Sequence, residues 1–372
     1  MSTSPALLLG TRKGFFAVDP ANSENPVRHT AFLGDEANLV VKDPRDGAFY
    51  AALYLGHFGV KLHRSEDGGA SWQEIATPVY PERPAGVEPE MNPFSGKETP
   101  WKLLKIWALQ PAGSDEPGVL WCGTIPGGLF RSENRGESWE LCRPLWDRPE
   151  RKKWFGGGED FAGIHSILID PKDSRHLACG VSCAGVWRTR DGGQTWAQSA
   201  HGMRAEYMPP DMAFDPEAQD PHIIASSAAT PEIVWAQHHN GIFKSSDGGL
   251  NWTECKNVPV SAFGFAVVTH PHDARTAWFV PAVKDETRIP VDGALCVLRT
   301  RDGGETWDIL REGLPQVHAY DLVFRHALDV DPSGERLAFG STTGNLYVSE
   351  DGGDSWRCVS STLPPIYSVR WA

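Results

Sequence analysis

The sequence has no apolar run approaching the eighteen or so residues that cross a bilayer, and no block of basic residues. The first absence argues against a membrane helix, and the start Met1-Ser2-Thr3-Ser4-Pro5 lacks the basic region of a secretory leader, so a soluble, cytoplasmic protein is expected. The second absence, with 35 Lys and Arg against 48 Asp and Glu and a net charge of −13, removes the concentrated cationic surface that nucleic acid or an anionic membrane requires. Cysteine is sparse and odd in number, seven in all, and no two pairs stand at zinc-site spacing. Cys142, Cys255 and Cys358 each follow a repeated Trp by two or three residues, where a small buried thiol is expected rather than a disulfide. What is abundant is 38 Gly, 29 Pro and 15 Trp, a composition of many turns and large aromatic packing pieces, as in a β-rich chain.

A short segment recurs. Ser65 to Trp72, Thr189 to Trp196, Ser245 to Trp252, Thr300 to Trp307 and Ser349 to Trp356 each carry Asp-Gly-Gly two residues after the hydroxyl residue and Trp at the end. A sixth copy, Ser132 to Trp139, has Asn134 for the Asp and Arg135 for the first Gly. The copies begin 49 to 67 residues apart, a period that fits one four-stranded propeller blade with variable loops. Asp-Gly-Gly supplies left-handed backbone, the carboxylate can accept from turn amides, and the hydroxyl can close the turn, so each copy predicts a hairpin rather than a catalytic element. Ahead of the copies run strand-turn-strand patterns such as Trp121 to Ser132, Ala178 to Thr189 and Ala338 to Ser349, read as the middle pair of each blade. Leu8 to Val18 has this pattern without a following hairpin, and Ile366 to Trp371 is a lone strand. Together they predict a seventh blade closed by both chain ends, and one all-β, seven-bladed propeller over residues 1–372.

The repeated segment resembles the Asp-box, and the chain as a whole resembles the WD40/YVTN/BNR-like group, which includes sialidases, xyloglucan-cleaving glycosidases and photosystem II assembly factors. The resemblance implies the fold more than the function. Sialidases carry an Arg-Ile-Pro motif near the start of their six-bladed propeller, whereas Arg288-Ile289-Pro290 lies in a late insertion and is read as coincidence. No sialidase catalytic residue is carried over.

Innermost strands are expected before Asp-Pro or His-Pro steps: Val40 to Pro44, Ile167 to Pro171, Met212 to Pro216 and Val267 to Pro271, with looser versions at Leu104 to Pro111 and Asp321 to His326. The hairpins join the third and fourth strands of each blade and occupy one rim. Long insertions are therefore expected on the other: residues 76–100, 143–162, 197–210, and an extension between the second and third strands in the segment from His222 to Gly241.

These insertions and the strand starts beside them hold the candidate site residues. Glu159, Asp160, His165, Glu206, Tyr207, Tyr320 and Asp321 are candidates for acid-base chemistry. His57, Trp154, Arg204, His318 and Tyr367 are candidates for substrate binding, Arg204 as an anion holder. Glu232 belongs to the same polar set. His57, His165, His238 and His239 are the candidate ligands of a divalent metal, the one cofactor considered. The reading that follows is a hydrolase or lyase acting on a small polar molecule or glycan at the funnel mouth. A non-catalytic scaffold binding a protein partner and a His-based metal enzyme stand as alternatives.

Overall fold

Hydrogen bonding within the repeated segments explains why they fold alike. In the copy from Thr189, the Thr189 hydroxyl donates to Asp191 Oδ1 (2.7 Å) and accepts from the Gly193 amide (3.0 Å). Asp191 in turn accepts from the hydroxyl and amide of Thr195, at 2.6 and 2.9 Å. Those bonds hold the Asp191 carboxyl down to about 2. Gly193 is required twice over: its φ is +89°, and a β-carbon there would approach the Trp121 ring of the preceding blade to 3.1 Å. The degenerate copy keeps the same bonds, Ser132 to Asn134 and to the Gly136 amide, with Arg135 in left-handed backbone at φ 60°.

The computed structural model describes residues 6–157 and 159–372. The first five residues, read above for the lack of a basic leader, lie outside that set. Seven four-stranded antiparallel sheets follow one another, and their innermost strands touch in succession to close a ring. Counting blades along the chain, those strands are Glu36–Lys42, Lys105–Pro111, Ile164–Asp170, Pro221–Ser226, Gly264–Thr269 and Leu328–Val330. The seventh is Ile366–Trp371, which pairs with Leu7–Thr11, so both ends of the described chain share one sheet. Between sheets lie fully buried aromatic rings, among them Trp121, Trp187, Trp235 and Trp278, each of which would cost about 3–5 kcal/mol if cut to Ala. Among the described residues, no helix is long and apolar enough to cross a membrane, and all seven cysteines are free.

Several sequence expectations are corrected. Met212 to Pro216 is not an innermost strand but turn structure running into a short 3-10 helix, Pro216–Ala218, capped by the Asp215 side chain. His222 lies on the first strand of blade four and His239-Asn240 form its tight turn between second and third strands. The extra residues, 227–233, therefore join the first and second strands on the hairpin rim, where the Glu232 carbonyl accepts from Gly248. Asp321 to His326 is irregular chain leading into the short strand Leu328–Val330. Cys142 and Cys255 are half-buried, but Cys358 is exposed.

Candidate active site

The innermost strands share a local irregularity that builds the site. In six blades the register with the second strand slips near the start of the innermost one, at Asn38, Trp107, His165, His222, Phe265 and Tyr367. A β-bulge leaves its residue unpaired and re-aims the side chain. All six but His165 line a single large cavity of about 950 Å³. In the sixth blade the corresponding place is taken by the irregular Phe324-Arg325-His326. The walls come from connections on that rim: Phe155, Gly156, Gly157 and Glu159; Glu206 and Tyr207; Ser261 to Phe263; and Lys284, Asp285, Glu286 and Arg288.

On the floor, Asp220, His222 and His239 place one ligand atom each within 4.8 Å of one another. Asp220 Oδ2 is 3.5 Å from His222 Nε2 and 3.5 Å from His239 Nδ1, while Oδ1 accepts from the Cys183 amide at 3.1 Å. His222 Nδ1 is fixed by the Gly264 carbonyl at 2.6 Å and its ring stacks on Phe265, which leaves Nε2 facing the carboxylate. Burial alone would raise Asp220, but His222, His239 and Arg325 outweigh it and hold the carboxyl well below its ordinary value. Burial lowers His222. It would lower His239 too, but there Asp220 prevails and the imidazole is raised. Gly157 lies over this group so closely that a β-carbon would stand 2.8 Å from Asp220 Oδ2. The two 3.5 Å separations suit a divalent ion, since tetrahedral bonds of about 2.1 Å put neighbouring ligand atoms about 3.4 Å apart. The bond from His222 Nδ1 to the Gly264 carbonyl is the kind of outer partner that orients a ligating His.

A second group stands on the wall. Burial raises the Glu36 carboxyl above its ordinary value; Lys105 and Arg12 hold it back, and Glu159 adds to the rise. Glu159 is tied to Lys105 at 3.6 Å. The same cavity thus presents two carboxylic groups in unlike surroundings, one desolvated and one salt-bridged, beside the apolar faces of Phe155, Trp107 and Phe263.

The structure brings together Glu159, Glu206, Tyr207, His239 and Tyr367 from the sequence candidates. The Tyr207 hydroxyl donates to the Ala218 carbonyl at 2.6 Å and its ring packs on His239. His165 lies buried beneath, bonded to Ser166 through Nδ1 at 2.7 Å. His238 is buried as well, accepting from the Asp220 amide at 3.0 Å, and burial takes its imidazole down to about 3. The remaining candidates stand apart from the cavity. His57 is exposed against Phe58, and Trp154 is core packed on Trp187. Asp160 pairs with Lys97 at 2.8 Å, and Arg204 with Glu206 at 2.6 Å and Glu254 at 3.2 Å. Tyr320 is exposed, and so is His318. Asp321 is filled by Ser341, Thr343 and Asn345, at 2.6 to 2.8 Å. Of the four proposed metal ligands only His239 belongs to the cluster; Asp220 and His222 replace the others. Sequence reasoning missed Glu36, Lys105, Asp220, His222 and Arg325. What they share is a polar side chain within three residues of the start of an innermost strand.

No protein-family model matches the chain. It is 25% identical over 339 residues to the oligoxyloglucan-reducing end-specific xyloglucanase of Emericella nidulans, a match covering 90% of this chain and 35% of that protein. It spans about a third of the length of such curated relatives. Among solved structures, a GH74 xyloglucanase from Xanthomonas campestris superposes with a TM-score of 0.61 at 16% identity, over 96% of this chain and 52% of the other. YCF48 from Cyanidioschyzon merolae superposes with a TM-score of 0.55 at 15% identity, over 94% and 97%. At these identities the structural likeness is one of fold: the chain is a seven-bladed, all-antiparallel β-propeller of the architecture found in GH74-type enzymes.

Proposed function

We propose that the chain is a hydrolase of carbohydrate-like molecules, with Glu36 as proton donor to the departing oxygen and Glu159 as the carboxylate that activates water or attacks. The observation that carries this reading is the unequal pair on one cavity wall: Glu36 favoured as the acid by burial, Glu159 held by Lys105. Two carboxyl groups whose surroundings differ in this way are the recurrent equipment of glycoside cleavage. Apolar ring faces beside them offer platforms for sugar rings, and the curated relatives named as xyloglucanases point to the same substrate class. A screen of aryl glycosides and xyloglucan oligosaccharides tests it. Turnover is expected, falling about 10²- to 10³-fold in Glu36→Gln; an absence of turnover on every glycan, or full activity in both Glu36→Gln and Glu159→Gln, would remove the assignment.

The Asp220, His222 and His239 geometry favours a second reading, in which these three side chains would hold a divalent ion whose Lewis acidity would be available to a bound substrate. Equilibrium dialysis against Zn²⁺ or Mn²⁺ is then expected to load one ion per chain, and His222→Ala to lose it. Failure to load either ion leaves the carboxylate pair as the whole of the chemistry.

A further inference from the structure

Arg325 precedes the innermost strand of blade six and lines the cavity. Among the described residues its guanidinium forms no hydrogen bond and no ion pair, and its Nε is enclosed without an acceptor. Two ring faces flank it: the guanidinium carbon is 4.8 Å from the centroid of Trp107 and 5.2 Å from that of Phe265. The residue is half-buried, with its Nε enclosed, and a cationic group taken even partly out of water is ordinarily paired, because the lost hydration must be replaced. Here burial takes the guanidinium down to about 10, which leaves it charged at neutral pH.

The other cavity cations differ. Arg288 is held by Asp285 at 2.5 Å and Lys105 by Glu159 at 3.6 Å. Asp220 is the foremost carboxylate acting on Arg325, with Glu159 beyond it, but the Asp220 oxygens are directed to Cys183, His222 and His239. Arg288 also stands over the Phe265 ring, at the same 5.2 Å, and the two guanidinium groups repel each other. An oxyanion bound beside Arg325 would offset that repulsion and supply acceptors that Arg325 lacks.

We propose that Arg325 is an anion-binding residue of the cavity and that the sugar taken there carries a carboxylate, as a uronate does. A carboxylate matches the planar fork of a guanidinium and can be bound bidentately. The assignment rests on the carbohydrate reading above and narrows it to acidic sugars. It also moves the anion-holding role from Arg204, whose charge is already spent on Glu206 and Glu254.

The test is calorimetric titration of the full chain with D-glucuronate, D-glucose and inorganic sulfate, repeated on Arg325→Met and Arg325→Lys. The wild-type protein is expected to bind glucuronate at least tenfold more tightly than glucose. Arg325→Met should lose that preference, and Arg325→Lys, which keeps the charge without the fork, should lie between the two. Equal binding of the two sugars by the wild type, or an unchanged preference in a folded Arg325→Met, overturns the proposal. Sulfate binding as tight as glucuronate overturns the sugar carboxylate in favour of a free oxyanion. Should Arg325→Met not fold, the lysine variant decides: an undiminished preference there defeats the fork. Because binding is read without turnover, a chain that cleaves no glycoside can still pass, and one that cleaves only neutral glycosides fails here while the earlier reading stands.

Discussion

The turn-forming groups of the hairpin rim and the polar groups around the cavity are treated differently. In the repeated segments the hydroxyl and carboxylate groups satisfy themselves: Thr189, Asp191, Gly193 and Thr195 exchange bonds within a span of seven residues, and five other copies do much the same, although Arg135 Nε and the indole nitrogens of Trp307 and Trp356 are enclosed without partners. Around the cavity, Asn38 Oδ1, His165 Nε2, Arg325 Nε and His326 Nε2 are enclosed without partners. Unmet hydrogen-bonding capacity costs stability and is retained where a ligand or reaction makes use of it. The difference separates a rim that holds the ring together from one that is prepared to bind.

That contrast can be broken at several points. The largest effect is expected at Glu36. A general acid must be protonated, so the rate should fall as pH rises through the Glu36 value, which burial has moved above the ordinary glutamate range. Glu36→Gln should remove that alkaline limb together with most of the rate. Stability should move the other way. A carboxyl whose folded value is raised destabilises the folded state once pH exceeds that value, so the glutamine variant should melt higher than wild type at pH 8, by scanning calorimetry. A rate loss accompanied by a lower melting point would place Glu36 with the scaffold instead.

Next comes the anchor of the cavity wall. Arg151 is buried, bonded to Glu90 at 2.6 Å and to the Trp146 carbonyl at 2.5 Å, and so ties together the two long connections that support Phe155 and Glu159. Glu90→Ala strands a buried guanidinium and should cost about 3–5 kcal/mol in urea unfolding; a cost under about 1 kcal/mol would mean that the wall stands without it. On the hairpin rim, Thr189→Ala leaves the buried Gly193 amide without its acceptor and should cost about 1–3 kcal/mol, with the proposed glycoside turnover unchanged. Loss of activity there at constant fold would show that the rims are not independent. The smallest effect belongs to Lys97→Ala, which breaks the exposed pair with Asp160 and should change stability by less than about 1 kcal/mol, the same assay serving.

The ring was legible because its information is local and repeated. Positive-φ glycines, a hydroxyl two residues ahead of an Asp and a closing Trp all act within one turn, and even the copy with Asn134 and Arg135 keeps the bonding. The cavity was less legible because its residues meet from several blades. Asp-Pro shows why: Asp170-Pro171 ends an innermost strand, Asp215-Pro216 caps a short helix, and Asp220-Pro221 opens an innermost strand. Proline is compatible with all three uses, so the dipeptide alone does not choose among them. The same ambiguity placed His222 on the wrong strand and hid Asp220. Glu36 and Arg325 were missed because burial and missing partners, which give them their character, exist only once the ring closes.

The bulges at the mouths of the innermost strands have a consequence for diversification. Every blade but the third offers essentially one letter to the floor, at a place where the ladder is already interrupted, so exchanging that letter leaves the hairpins outside in place. A library confined to Asn38, Trp107, His222, Phe265, Arg325 and Tyr367 would therefore vary what the pocket recognises while the hairpins go on holding the wheel shut, much as a combination lock changes its code without changing its casing.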